Sequence, residues 1–219
     1  MSDNERLEIF YVRHANTQPG SNGDRDICDI DLTPLGEEQI KLLGKRFENY
    51  RFDAIISSPL IRCVKTAAAV AKSTGYNPTI EIMPELIEKG STPNYSGCSL
   101  EYLSRYYDKL CYCPDIVYGE GGGKFPNEEK EDIMARCGAI AEYLKNRFGY
   151  GKKIMLVSHG VFGISFFPSA MGISEKDFRM TFHNASVSKI TYHSDGVKRI
   201  SFHNDVSHLI SIMPNYQDL

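Results

Sequence analysis

Four short stretches of the chain carry residues able to do chemistry. Phe10-Tyr11-Val12-Arg13-His14-Ala15-Asn16-Thr17 places a cation and an imidazole directly after an apolar, aromatic run. Val157-Ser158-His159-Gly160 places a second imidazole at the exit of another apolar run. Ser57-Ser58-Pro59-Leu60-Ile61-Arg62 delivers Arg62 into the first turn of an expected helix, and Leu86-Ile87-Glu88-Lys89-Gly90 supplies a carboxylate, with Glu85 as the alternative acid. These types suit reaction at a phosphate monoester, which carries up to two negative charges. Arginine forks bind its oxygens in bidentate fashion and stay charged. A neutral imidazole is a good nucleophile near neutral pH. The transition state spreads charge over equatorial oxygens, which fixed cations and a second histidine can hold. The leaving alcohol needs a proton, which a carboxylic acid can give.

These residues need elements to carry them. Glu8 to Val12 reads as a buried strand, followed by a polar loop from His14 to Asp31. Thr33-Pro34 opens a helix to about Tyr50, with Thr33 as N-cap and Ile40, Leu43 and Phe47 on one face. Asp53–Ser57 reads as a second strand, and Ser58-Pro59 opens a helix to about Thr74. Thr79–Met83 is a third strand. Beyond it the pattern loosens as far as Asn127, apart from a helix expected near Leu100–Leu110. That length exceeds a plain connection, so 89–127 is expected to be an insert or lid. Glu128–Phe148 is an amphipathic helix, Lys153–Val157 a strand with a helix after it, and Ser186–Tyr192 and Val197–Phe202 a hairpin turning at Ser194-Asp195-Gly196. Strands alternating with helices imply a single α/β domain over 1–219, a three-layer arrangement with a mostly parallel central sheet flanked by helices. In such sheets ligands sit where strands end, the position of both His14 and His159.

Composition narrows the partners. A net charge of −3 with no Lys/Arg-rich block argues against nucleic acid or a membrane surface. The polar start Met1–Arg6 reads as neither signal nor transit peptide, and Ile154–Met171, interrupted by His159 and Pro168, falls short of a bilayer span. Six cysteines without a secretory signal read as free thiols, so a cytoplasmic chain is expected. Cys111-Tyr-Cys113 is not a zinc-binding pair, and His183, His193, His203 and His208 have no metal-ligand spacing. Gly119–Phe125 is one residue short of a P-loop and has Phe125 where that loop needs Ser or Thr.

The motifs, in this order, resemble the histidine phosphatase (phosphoglycerate mutase-like) superfamily. Tyr11-Val12-Arg13-His14 resembles its Arg-His-Gly signature. Leu32-Thr33-Pro34-Leu35-Gly36, Ser57–Arg62 with Lys65-Thr66-Ala67, Pro126–Arg136, Ser158-His159-Gly160 and Asn204–Leu209 resemble its further blocks, so the likeness runs from Ile9 to Leu209. The resemblance implies that His14 takes the phosphoryl group, that Arg13, Arg62 and His159 hold its oxygens, and that Glu88 is general acid and then base. Thr17, Asn22 and Gly160 join the phosphate-binding set by the same carry-over. No metal and no cofactor are implied, and the partner is a small phosphorylated metabolite.

Two departures bear on activity. Ala15 stands where the family has glycine, and Ser91–Gly97 replaces the aromatic-acid-glycine segment that often follows the acid. They keep a catalytically inactive phosphate-binding module in play beside a phosphatase. A mutase is a further alternative, but only 39 residues separate Glu88 from Glu128, where cofactor-dependent mutases carry a long insert. A metallohydrolase using His14 and His159 is the remaining alternative.

Overall fold

The computed structural model describes residues 5–18, 30–75, 77–89, 98–119, 125, 128–174 and 179–213. Strands β1 (Arg6–Arg13) and β5 (Lys152–Ser158) lie side by side and parallel near the middle of one seven-stranded sheet. Both are apolar on both faces, as a strand covered by helices on each side must be. Around them the order is β4 (Leu110–Tyr112), β3 (Ile80–Ile82), β2 (Ala54–Ser57), β5, β1, β6 (Val187–His193) and β7 (Lys198–Asp205). The five strands from β4 to β1 are parallel, and β6 and β7 extend the sheet antiparallel, joined by the expected turn at 194–196.

Alternation along the strands sorts the core into two slabs. Phe10, Val12, Ile55, Met155 and Val157 point to helices α1 (Pro34–Arg46) and α2 (Ile61–Ser73). Leu7, Ile9, Tyr11, Ile56, Ile154 and Leu156 point to α4 (Lys130–Phe148) and α5 (Gly160–Met171). This is the expected α/β/α layering, with α3 (Leu100–Leu103) a single turn near the β4 edge. The Thr33 side chain accepts the Gly36 N–H at 3.0 Å and caps α1, as its sequence predicts.

The helix expected over Leu100–Leu110 stops after one turn, and Leu110–Tyr112 instead pairs with Ile80–Ile82 as an edge strand. Buried Tyr107 donates to the Pro78 carbonyl across the gap and fixes that hand-over. A short apolar run cannot by itself choose between helix and strand, and the open edge of β3 decided it. Part of the segment 89–127 therefore completes the sheet, while 90–97, 120–124 and 126–127 lie outside the described residues, as does the tail of the loop containing Cys28. Among the described residues, no helix is long and apolar enough to cross a membrane.

Connections diverge at β1 and β5: the chain leaves β1 toward β2 on one side and leaves β5 toward β6 on the other. A crevice opens above the carboxyl ends of strands at such a switch point. The register Arg13↔Ser158 puts the next residues, His14 and His159, at its floor.

Candidate active site

His14 leaves the end of β1 with its backbone N–H bonded to the Ser158 carbonyl at 2.9 Å. Its own carbonyl accepts from Asn184 Nδ2 at 3.1 Å and from the Ala185 N–H at 3.2 Å. The ring is 6% exposed, and its Nδ1 lies 2.8 Å from the Ala15 carbonyl. A carbonyl only accepts, so Nδ1 carries the hydrogen and the lone pair sits on Nε2. Burial, then the Arg62 charge and more weakly that of Arg13, lower the pKa from 6.5 to about 3. The ring is thus a neutral imidazole at physiological pH, with one nitrogen tied and the other left to react.

His159 follows β5 as the N-cap residue of α5, but its side chain does not cap that helix. It turns instead toward His14, with ring centroids 5.2 Å apart. Nε2 lies 2.8 Å from Ser58 Oγ, and Nδ1 lies 3.3 Å from an Arg62 Nη. Arginine can only donate, so Nδ1 accepts and Nε2 donates to the serine. Burial, followed by the charge of Arg62, holds this imidazole well below its ordinary pKa. Tyr11 anchors the backbone from below, its hydroxyl donating to the His159 carbonyl at 2.6 Å.

Arg62 enters from the first turn of α2 and is half-buried beside His159. Arg13 donates to the Phe182 carbonyl at 2.5 Å, while its Nε is buried without a hydrogen-bond partner. An orphaned buried donor costs about 1–3 kcal/mol, which an incoming anion would recover. Gly160 makes room for this guanidinium: a Cβ there would stand 3.2 Å from Arg13 Nε and 3.3 Å from Cζ. Its observed contribution is clearance for Arg13.

Glu88 arrives from a segment after β3. Its Oε1 accepts from the backbone N–H of Phe162 at 2.8 Å and of Lys89 at 3.0 Å. Oε2 has a longer bond, 3.2 Å from the Val161 N–H, and is the oxygen better placed to hold a proton. The segment that carries Glu88 is held by three successive carbonyls. Buried Arg136 donates to those of Glu85 (2.5 Å) and Ile87 (2.9 Å), and Ser158 Oγ donates to that of Leu86 (2.7 Å). Arg136 is fully buried, forked onto Glu128 at 2.8 and 2.7 Å, and lies between the rings of Phe125 and Phe162. Glu85, the alternative acid, is buried and accepts from the Val117 N–H at 2.9 Å.

The structure therefore gathers Arg13, His14, Arg62, His159 and Gly160 around one crevice, with Glu88 at the start of α5. Thr17 bridges Leu32 at the neck of the loop, and Asn22 lies outside the described residues. Ala15 needs no glycine: positive φ among described non-glycine residues occurs at Asn77, Ala185 and Asn204 only. Its backbone N–H donates to Thr66 Oγ1 at 3.2 Å. Among the described residues no group of three or more His, Cys, Asp or Glu side chains could hold a metal ion. Sequence reasoning missed Ser58 as partner of His159, Arg136 as support for Glu88, and the 182–185 turn that clasps Arg13 and His14. A lone arginine among Ile133, Cys137 and Ile140 on the apolar face of a helix was the one legible signal.

The family profile described as the histidine phosphatase superfamily (branch 1) matches residues 9–206. A broad-specificity phosphatase of Saccharomyces cerevisiae is 30% identical over 170 residues, 72% of this chain and 67% of that protein. A probable phosphoglycerate mutase of Photorhabdus laumondii is 28% identical over 189 residues, 84% of each chain. In architecture the chain is similar to the crystal structure of phosphoglycerate mutase from Bacillus anthracis, with TM-score 0.66, 19% identity, and 94% and 96% of the two chains covered.

Proposed function

Since the chain belongs to the histidine phosphatase superfamily, we propose that it is a metal-independent phosphatase that hydrolyses small phosphate monoesters through a phosphohistidine on His14. The observation that carries this reading is the state of His14: a buried neutral imidazole, Nδ1 tied to the Ala15 carbonyl, in contact with His159 and under the charges of Arg62 and Arg13. The Nε2 lone pair attacks phosphorus in line, the ester P–O bond breaks, and its electron pair goes to the leaving oxygen. Glu88 gives that oxygen a proton. Water then attacks the phosphohistidine while Glu88 takes a proton from it, the P–N bond breaks, and phosphate departs with His14 restored. Arg13 and Arg62 hold equatorial oxygens, the positions where charge gathers in the transition state, and His159 joins them as the tautomer with its hydrogen on Nδ1, Ser58 then donating to Nε2 and Arg62 turning from Nδ1 to the phosphoryl oxygens.

The similarity to a broad-specificity phosphatase supports hydrolysis. The geometry at Ala15, which fits alanine without strain, supports a competent site over an inactive binding module. The likeness to a probable mutase makes isomerisation of 3-phosphoglycerate, primed with 2,3-bisphosphoglycerate, the comparison assay. The decisive experiment is hydrolysis of para-nitrophenyl phosphate in excess EDTA. Removing the nucleophile in His14→Ala should cut turnover by roughly 10⁴-fold or more. Activity retained in that variant, or lost to chelator and restored by zinc or manganese, would sink the reading.

A further inference from the structure

One peptide plane stands between the nucleophile and the first helix. The Ala15 carbonyl takes the His14 Nδ1 hydrogen at 2.8 Å. The N–H of Asn16 belongs to the same plane and points the opposite way, because a trans peptide holds the two groups antiparallel. That N–H donates to Gln39 Oε1 at 2.8 Å. Gln39 comes from α1 and is fully buried. Its Nε2 donates to the sulfur of Met213 at 3.3 Å. A backbone N–H can only donate, so the amide oxygen faces Asn16 and the amide nitrogen faces the thioether. Met213 is held in turn: its N–H donates to the Leu209 carbonyl at 2.9 Å, and its side chain packs on the cluster of Ala15, Ala185 and Leu209.

The chain is pinned on both sides of this plane by other groups. The Ala15 N–H donates to Thr66 Oγ1 at 3.2 Å. The Asn16 carbonyl accepts from the Thr33 N–H at 3.1 Å, and Asn16 Oδ1 accepts from Thr33 Oγ1 at 2.7 Å. The first turn of α1 comes so near that a Cβ on Gly36 would stand 2.2 Å from the Asn16 oxygen. These contacts fix the path of the chain, but they leave the plane between Ala15 and Asn16 free to rotate. Gln39 removes that freedom. Were the plane turned over, the Asn16 N–H would face His14 Nδ1, which would then have to accept. The ring hydrogen would sit on Nε2, and the reactive lone pair would be gone.

We propose that Gln39 is a positioning residue for the nucleophile: by accepting from the Asn16 N–H it keeps the Ala15 carbonyl turned to His14 and so keeps the lone pair on Nε2. The inference rests on the reading of His14 as the group that attacks phosphorus. Gln39 touches no substrate and acts only through the peptide plane. Without its oxygen the Asn16 N–H would be a buried donor with no acceptor, a state that costs more than turning the plane toward the imidazole. The bonds also reinforce one another, since a carbonyl whose own N–H is engaged is a stronger acceptor for the ring hydrogen. Thr66 and Thr33 set where the nucleophile stands, and Gln39 sets which of its nitrogens can react.

The test compares Gln39→Met, which keeps the length of the side chain and removes the amide oxygen, with Gln39→Glu, which keeps an oxygen toward Asn16. Nitrogen-15 spectra of histidine-labelled protein, assigned against His14→Asn, read the tautomer of His14 directly at neutral pH and without substrate. Wild type and Gln39→Glu should show the hydrogen on Nδ1, and Gln39→Met should show it wholly or partly on Nε2. Turnover of para-nitrophenyl phosphate by Gln39→Met should fall about ten-fold or more through kcat, with Gln39→Glu restoring most of it. Inhibition by inorganic phosphate should change less than about two-fold in both variants, because neither arginine is disturbed. Should Gln39→Met fail to fold, Gln39→Asn, whose amide falls one methylene short of Asn16, should show the same tautomer change. A His14 that keeps its hydrogen on Nδ1 in the variants lacking that oxygen would overturn the proposal, as would equal losses in Gln39→Met and Gln39→Glu. Full activity in His14→Ala would instead remove the nucleophile, and the spectra would still judge Gln39.

Discussion

His14 and His159 meet because β1 and β5 are adjacent, parallel and in register, so two neighbouring strand ends deliver them to one spot. Glu88 reaches the same crevice differently. It rides on a segment after the short strand β3, and its position depends on a buried arginine from α4, forty-eight residues later. In the proposed mechanism the phosphate-holding side is thus fixed by backbone hydrogen bonds of the sheet, and the leaving-group side by side chains that bridge layers. The first arrangement leaves little to vary. The second depends on contacts that can change while the sheet stays as it is.

The sharpest way to break this contrast is at Arg136. Arg136→Leu removes one partner of a fully buried pair and strands Glu128, so stability should fall by about 3–5 kcal/mol in urea unfolding. Replacing both Arg136 and Glu128 with leucine should recover part of that stability. It should not restore full activity on alkyl phosphates, because the Glu85 and Ile87 carbonyls still lack their donor. Full activity in the double variant would show that the Glu88 segment holds itself.

Next in size is a pair of substitutions read against two leaving groups. Arg62→Lys replaces a fork with a point charge on the phosphate side, and kcat/KM should fall about 10²-fold for both para-nitrophenyl and alkyl phosphates. Glu88→Gln should cost about 10²-fold or more for alkyl phosphates, whose alkoxide needs a proton. Its effect on para-nitrophenyl phosphate should be far smaller, because nitrophenolate leaves unaided. If Glu88→Gln slowed both substrates alike, the carboxylate would belong to the phosphate side and the division would fail.

The same division explains what could be read from the sequence. Strand ends followed by Arg13-His14 and Ser158-His159-Gly160 are local patterns, so the layering and the placement of both histidines at strand ends were legible. Ser58 was visible only as the start of a helix, because nothing local says that its hydroxyl meets an imidazole a hundred residues away. The 182–185 turn gave no signal either: Ala185 takes φ of 55°, a conformation that sequence would assign to glycine or asparagine. The Leu100–Leu110 stretch was misjudged because a free sheet edge outweighed its helical spacing. Each miss is a contact between distant elements, and such contacts are concentrated on the leaving-group side and in the supports of the two histidines.

The smallest expected effect concerns pH. His14 is held near pKa 3 in the folded chain, against 6.5 for a free imidazole, by burial and by Arg62. Between those values the unfolded chain binds a proton that the folded chain refuses. Stability is therefore complete above pH 6.5 and declines as pH falls toward 3. His159, His183, His203 and His208 are shifted in the same direction and share the trend, so the contribution of His14 must be read as a difference. Unfolding free energies of the wild type and His14→Asn at pH 7 and pH 4.5 supply it. The wild type should lose more, by about 2.5 kcal/mol, because asparagine has no proton to exclude. Equal losses would mean that His14 protonates freely in the folded chain. Its lone pair would then be blocked through much of the acid range, and the phosphate-holding side would be less rigidly defined than the sheet that carries it.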